Sequence, residues 1–484
     1  MSLTRTLTVS LLSLAILSGC LPQNTSSSLS AHNPKIKSLS LLDQPARAPR
    51  ALDIQEWRTS TGTKVLFMHA SELPMVDIQL TFAAGSSRDG QLFGLANLTS
   101  SMLDEGTGKK LVGDIAAEFD NLGAQFDAGA YRDMAVMSLR SLSNPNNLDP
   151  ALKLFTEVVT QPSFPQPALD RLKNQLLASF EMQKQNPGAI ASLALYDTFY
   201  GDHPYAHPSS GTASTIKQIK RQDLITFHRN AYNSSNLNIA IVGDISRAKA
   251  EQMAEKISQA MPKGQAFPAV ASPTARKIEN VHITYPSTQT HLTLASLGIK
   301  RGDPDYPALF VANQIFGGGG FGSRLMEEVR EKRGLTYGVY SNFSTLQERG
   351  LFTISLQTRA ELSDATLVFI KELLADFINN GPTAKELADT KREIAGSYPL
   401  SAASNSAIVG QLGAYGFYDM PLDWQQQFMQ QINDLTLEQV KHAMQKHVQL
   451  DNMSVVSVGP KVAQKPLPPA VDRKETTAQG YSHQ

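Results

Sequence analysis

Ten histidines, a single cysteine and a run of glycines are the residues of this 484-residue sequence that invite a chemical role. His203 and His207 stand four apart, the spacing that sets two imidazoles on one helix face to grip a metal. Pro204 and Pro208 follow them directly, so the stretch reads as a loop and the helical geometry fails. His442 and His447 are five apart on a predicted amphipathic helix and point in different directions. His69, His228, His282 and His291 are isolated, and packing or surface roles suit them. No G-x-S-x-G elbow is present to raise a serine nucleophile. Gly317-Gly318-Gly319-Gly320 with Gly322 could cradle an anion through backbone N–H groups. No Lys-Ser/Thr pair follows, which removes the phosphate-loop reading.

Lys and Arg total 44 against 44 Asp and Glu, so no basic excess drives nucleic-acid binding through counterion release. One cysteine excludes an internal disulfide, a Cys-rich zinc site and an iron–sulfur cluster. Its position is informative. Arg5, the apolar run Leu11 to Leu17 and then Leu17-Ser18-Gly19-Cys20 read as an export signal over residues 1–20, too short to span a bilayer. The segment resembles a bacterial lipobox, which implies lipidation of Cys20. Leu21, where Asp would retain a lipoprotein at the inner membrane, implies an outer-membrane anchor facing the periplasm. Residues 21–50, rich in Pro, Ser and Asn, read as a tether with a reach of roughly 30 Å. Residues 461–484 read as a disordered tail.

Between these ends the chain repeats itself. Val76 to Phe82 alternates as a strand, then come a glycine turn and a helix from about Phe93; His291 to Ala295 alternates likewise before a helix near Tyr306. The amphipathic stretch Ala151 to Val159 has its counterpart in Thr366 to Leu374. Each half closes on a helix followed by an apolar strand, Asn236 to Gly243 and Asp451 to Gly459. The expected fold is α+β: two duplicated lobes, 51–262 and 277–460, each a mostly antiparallel sheet covered by helices. Pro262, Pro268 and Pro273 mark the linker between them.

Five local matches resemble the pitrilysin and mitochondrial processing peptidase family of inverted-motif zinc peptidases. They are Phe82-Ala83-Ala84-Gly85-Ser86; Gly94-Leu95-Ala96 with Gly106-Thr107; His203-Pro204-Tyr205 with Pro208; Val242-Gly243-Asp244; and Gly318-Gly319 through Ser323-Arg324-Leu325 to Arg330-Glu331-Lys332-Arg333-Gly334-Leu335-Thr336-Tyr337. The resemblance covers about residues 55–460 and implies half of a clam-shell. Active members carry H-x-x-E-H between the second pair of matches, where two His bind zinc and the Glu polarises water. Here those positions hold Asn97, Ser100 and Ser101. Neutral amide and hydroxyl groups are weak zinc ligands beside imidazole and carboxylate. Alignment on Asn186-Pro187 puts Ala178 or Ser179 at the third ligand, with Glu181 two or three residues too late.

The family's Arg and Tyr, seven residues apart, are present as Arg330 and Tyr337. In the family this pair reaches across to the zinc site of the opposite lobe, binds substrate backbone and stabilises the oxyanion. The glycine run would be a flexible hinge or substrate-edge loop. The resemblance therefore implies a chain without its own metal or cofactor, active with a homologous zinc-bearing partner on unfolded peptide added to a sheet edge. The rival expectation is a catalytically silent scaffold of an envelope complex. A self-sufficient peptidase would require hydrolysis by this chain alone with added zinc.

Overall fold

The computed structural model describes residues 52–274 and 280–471. Cys20 and the tether lie outside the described residues. Eight strands form before the linker: β1 (Gln55–Arg58), β2 (Lys64–His69), β3 (Met75–Phe82), the hairpin β4 (Gly106–Thr107) and β5 (Lys110–Leu111), β6 (Gln125–Ala130), β7 (Ala135–Leu142) and β8 (Leu237–Gly243). Five follow it: β9 (Val281–Thr284), β10 (Gln289–Leu297), β11 (Val339–Phe343), β12 (Leu351–Arg359) and β13 (Ser454–Gly459).

The first lobe's sheet runs β1-β2-β8-β3-β7-β6 and the second lobe's runs, read from the far edge, β9-β13-β10-β12-β11. Chain position by chain position the two orders agree, with β1 as an extra edge. Pairing directions agree as well. β2 is parallel to β8 and β9 to β13, while every other neighbour is antiparallel. The duplicated α+β architecture is thus present strand for strand.

Alternation along β3 buries Val76, Ile78, Leu80 and Phe82 beneath the first lobe's helices. β8 is apolar almost throughout because both of its faces are covered. Ile239 and Ile241 face the first lobe's own helices. Ala240 and Val242 face Ile408, Val409 and Leu412, which stand on helix Asn405–Phe417 of the second lobe. The reverse holds on the other side. Helix Pro187–Tyr200 of the first lobe lays Ala191, Leu195 and Phe199 against Ala295, Val456 and Val458 of the second sheet. Each lobe lends the other one helix.

A buried carboxylate ties the lobes at a second point. Asp133, in the β6–β7 turn, accepts from Tyr205 Oη at 2.5 Å, from Tyr418 Oη at 3.2 Å and from the Gln347 backbone N–H at 2.7 Å. The last two groups belong to the second lobe.

Of the expected tail, residues 472–484 lie outside the described residues, and residues 461–471 depart from expectation. Residues 461–471 run along the second lobe instead of leaving it. The Lys465 and Val471 backbone N–H groups donate to Glu361 and Lys332 carbonyls at 2.7 and 2.8 Å, and Leu467 packs on the core. The Gln464 side chain adds bonds to Ala360 O at 3.0 Å and from the Asp364 N–H at 3.1 Å, and composition carries no sign of the contact. Among the described residues no helix is long and apolar enough to cross a membrane.

Candidate functional site

Helix Leu95–Ser100 carries the degenerate zinc positions. It starts at Gly94, whose φ of 93° and tight approach to Ser210 O, 2.7 Å from where a Cβ would stand, admit only glycine. Buried Asp89 accepts from the Gly94 and Ala96 backbone N–H groups, each at 2.7 Å, and so satisfies the helix start. His207 Nε2 lies 3.1 Å from Asp89 Oδ2 and 3.0 Å from Ser86 O, with Phe93 stacked on its ring. Burial pushes the Asp89 carboxyl up, against the pull of His207 and the two N–H groups. Gly85 is needed nearby because a Cβ would collide with the Met134 backbone N. The motifs around this helix are thus devices for placing it.

What the helix presents at those positions is one amide and two hydroxyls. Asn97 is half-buried, Ser101 is exposed, and Ser100, at the position of the water-polarising acid, is 1% exposed. The Ser100 hydroxyl is a near neighbour of the buried Tyr232 phenol, whose ionisation burial pushes above its ordinary range. Along helix Gln166–Gln183, Ala178 is exposed and Ser179 Oγ donates to Leu176 O at 2.9 Å. Glu181 is taken by Lys184 in an exposed ion pair at 2.7 Å.

The histidines are engaged elsewhere. His203 Nε2 is 2.6 Å from Ala271 O, on the loop expected for it. His228 Nε2 donates to Val159 O at 2.8 Å, and burial lowers its pKa to about 4. His69 and His282 bond Ile245 O and Ser457 Oγ, and His442 stands on the helix Leu437–His447. Among the described residues Asp303, Asp305 and His447 bring ligand-type atoms within 4.8 Å of one another. Lys446 Nζ already sits 2.6 Å from Asp305 Oδ2, and this pairing with His447 holds the Asp305 carboxyl below its usual range.

The second lobe brings the other pair together. Arg330 stands in a wide helical turn, Met326–Glu331, and Tyr337 just before β11. Their segment is anchored on both sides: Arg324 is paired with Glu386 at 2.5 Å, Arg333 with Glu328 at 2.8 Å, and Thr358 Oγ1 donates to Leu335 O at 2.8 Å. Lys332 is likewise held by Glu328. Arg330 is half-buried, its only ion-pair partner among the described residues being the adjacent Glu331. Its guanidinium carbon lies 5.4 Å from the Tyr337 ring centroid and 4.7 Å from that of Phe321. Tyr337 is 90% exposed and Phe321 is 72% exposed. Two unburied rings therefore bracket one cation, each contact worth about 0.5–1 kcal/mol at exposed sites.

Phe321 was hidden from sequence reasoning by the glycines around it, a run expected to be a flexible hinge or substrate-edge loop. A Cβ at Gly317 would stand 2.6 Å from Ser341 Oγ, and at Gly319 2.6 Å from Gln314 O. Close packing, more than freedom, requires these glycines. The loop they form delivers Phe321 to Arg330.

The crystal structure of a peptidase M16 inactive domain from Pseudomonas fluorescens superposes with a TM-score of 0.84, at 56% identity over 86% of this chain and 100% of that one. The chain belongs to peptidase family M16. The family profile described as insulinase (peptidase family M16) matches residues 64–213, and that of the peptidase M16 inactive domain matches 218–394. This M16 chain is also similar to the Helicobacter pylori protein named non-peptidase homolog YmxG, 27% identical over 83% of this chain and 93% of that protein. A Bacillus subtilis relative named as an uncharacterized zinc protease, YmxG, is 26% identical over 74% and 87%. A protease structure from Helicobacter pylori, 17% identical over 86% of this chain and 100% of that one, shares the fold with a TM-score of 0.79.

Proposed function

We propose that this M16 chain is the catalytically incomplete subunit of a two-chain zinc peptidase, lipid-anchored through Cys20 at the periplasmic face and unable to cleave peptides alone for want of the zinc set. One observation carries the reading: Arg330 is held between the exposed rings of Phe321 and Tyr337 while the H-x-x-E-H positions hold Asn97, Ser100 and Ser101. Exposed aromatics around an arginine that meets no distant acid serve no core, and a guanidinium with a phenol is a ready donor set for an oxygen gaining charge. Zinc and the activated water come from a homologous partner. The substrate is an extended peptide. β6, an edge strand paired only with β7 among the described strands, packs beside the helix of Asn97 and offers a free edge to such a peptide. The name of the Helicobacter pylori relative, a non-peptidase homolog, agrees with an incomplete site.

The test is cleavage of an unfolded peptide by the pair purified together. Arg330→Ala should lower kcat about a hundredfold or more, the usual loss of one oxyanion donor, and Tyr337→Phe should lower it in the same direction. Unchanged cleavage in an intact complex would leave this chain as a scaffold. Hydrolysis by this chain alone with added zinc would reject the division of labour.

A further inference from the structure

A trough of about 660 Å³ opens beside Tyr337, within the range of roughly 300–1,000 Å³ typical of ligand sites. Its floor is the part of the second sheet's face that helix Pro187–Tyr200 leaves uncovered, where His291 of β10 and Ser355 and Gln357 of β12 stand. One wall is helix Pro187–Tyr200 with Tyr196; the other is Tyr337 and Tyr340. Among the described residues no Asp, Glu, Lys or Arg lines it. Burial lowers the pKa of His291, which keeps the ring neutral at neutral pH. Two cations stand behind the walls: the Arg132 guanidinium carbon is 4.2 Å from the Tyr196 ring centroid, as Arg330 is 5.4 Å from that of Tyr337.

We propose that this trough is a side-chain subsite for the extended peptide, taking aromatic and other uncharged residues and rejecting basic ones. The inference rests on the peptide-handling role above and adds a substrate class to it. Tyr337 belongs to both the trough and the Arg330 pair, so the two are one continuous surface. Ser355 and Gln357 are alternate residues of a strand, about 7 Å apart, which is also the side-chain repeat of an extended chain lying along it. An aromatic side chain finds ring walls, and an amide finds hydroxyl and amide partners on the floor. A lysine entering would lose water, meet no carboxylate, and face two rings already engaged by guanidiniums.

The probe is a set of fluorescein-labelled unstructured peptides with identical flanks and Phe, Gln or Lys at one central position, titrated into the full chain by anisotropy. The Phe and Gln peptides should bind about tenfold more tightly than the Lys peptide. Ser355→Trp, at an exposed strand position that favours an aromatic, should fill the trough and abolish the difference. Ser192→Trp fills it from the helix wall and serves if the first variant misfolds. Arg330→Ala should weaken all three peptides. If it does so while both Trp variants keep the Phe-to-Lys ratio, the subsite is refuted and peptide handling stands; if none of the peptides binds, both are refuted.

Discussion

Lowering the pH should unfold the first lobe through His228. This imidazole sits on helix Arg221–Ala231, 6% exposed, stacked on Tyr232 and edge-on to Phe164, with Nε2 donating to the Val159 carbonyl. Burial sets its folded pKa at about 4 against 6.5 when free. Between those values the unfolded chain binds the extra proton. The contribution is therefore fully present above about pH 6.5, is lost as pH falls through the window, and is gone below about pH 4. The gap corresponds to about 3 kcal/mol at about 1.4 kcal/mol per pH unit. Denaturant unfolding across that window is the assay, followed by Trp57, which packs on Phe67 in the first lobe, in a Trp424→Phe background. His228→Gln keeps a donor for Val159 without a titrating ring. It should be less stable than the parent above neutrality and should close or reverse the gap by about 3 kcal/mol on acidification. Parallel pH profiles for parent and variant would refute the reasoning.

Other outcomes follow from the same contacts. Leu412→Ala, a fully buried truncation where the second lobe's helix meets β8, should cost about 3 kcal/mol by denaturant unfolding and should show in the Trp57 signal although residue 412 belongs to the other lobe. Asp133→Asn turns a donor toward three donors and should lower stability by about 2 kcal/mol, against about 1 kcal/mol for Tyr418→Phe; equal losses would contradict the keystone role. Restoring the motif by Asn97→His, Ser100→Glu and Ser101→His should give no stoichiometric zinc on metal analysis and a less stable protein, because residue 100 faces Tyr232 with no counter-charge. Phe321→Ala should lower peptide cleavage by the paired chains, with Phe321→Tyr retaining it.

Much of the fold was legible because repetition is visible twice. The alternation of Val76 to Phe82 and of His291 to Ala295 falls within β3 and β10, and the closing apolar runs fall on β8 and β13. Arg330 and Tyr337 were legible as a spaced pair, and the structure brings them together. What escaped notice depends on partners far along the chain. Helices Pro187–Tyr200 and Asn405–Phe417 are apolar on most sides, so their sequences do not say which sheet they cover. Phe321 lay in a glycine run, and the tight packing of Gly317, Gly318 and Gly319 that shapes its loop is a tertiary fact. The docking of residues 461–471 rests on Gln464, Leu467 and two backbone N–H groups, whose partners lie about a hundred residues or more earlier in the chain.

The traded helices make the two halves a lock that neither can close unaided. A polypeptide ending after the first half would leave Leu66, Met68, Ala240 and Val242 bare, and would carry Leu195 and Phe199 on a helix with nowhere to rest. Synthesised separately the halves should aggregate; synthesised together from two reading frames, they should find each other. A nick in the 262–274 connection should likewise leave a particle that still migrates whole, since what joins the halves is interlacing and not the bond that was cut.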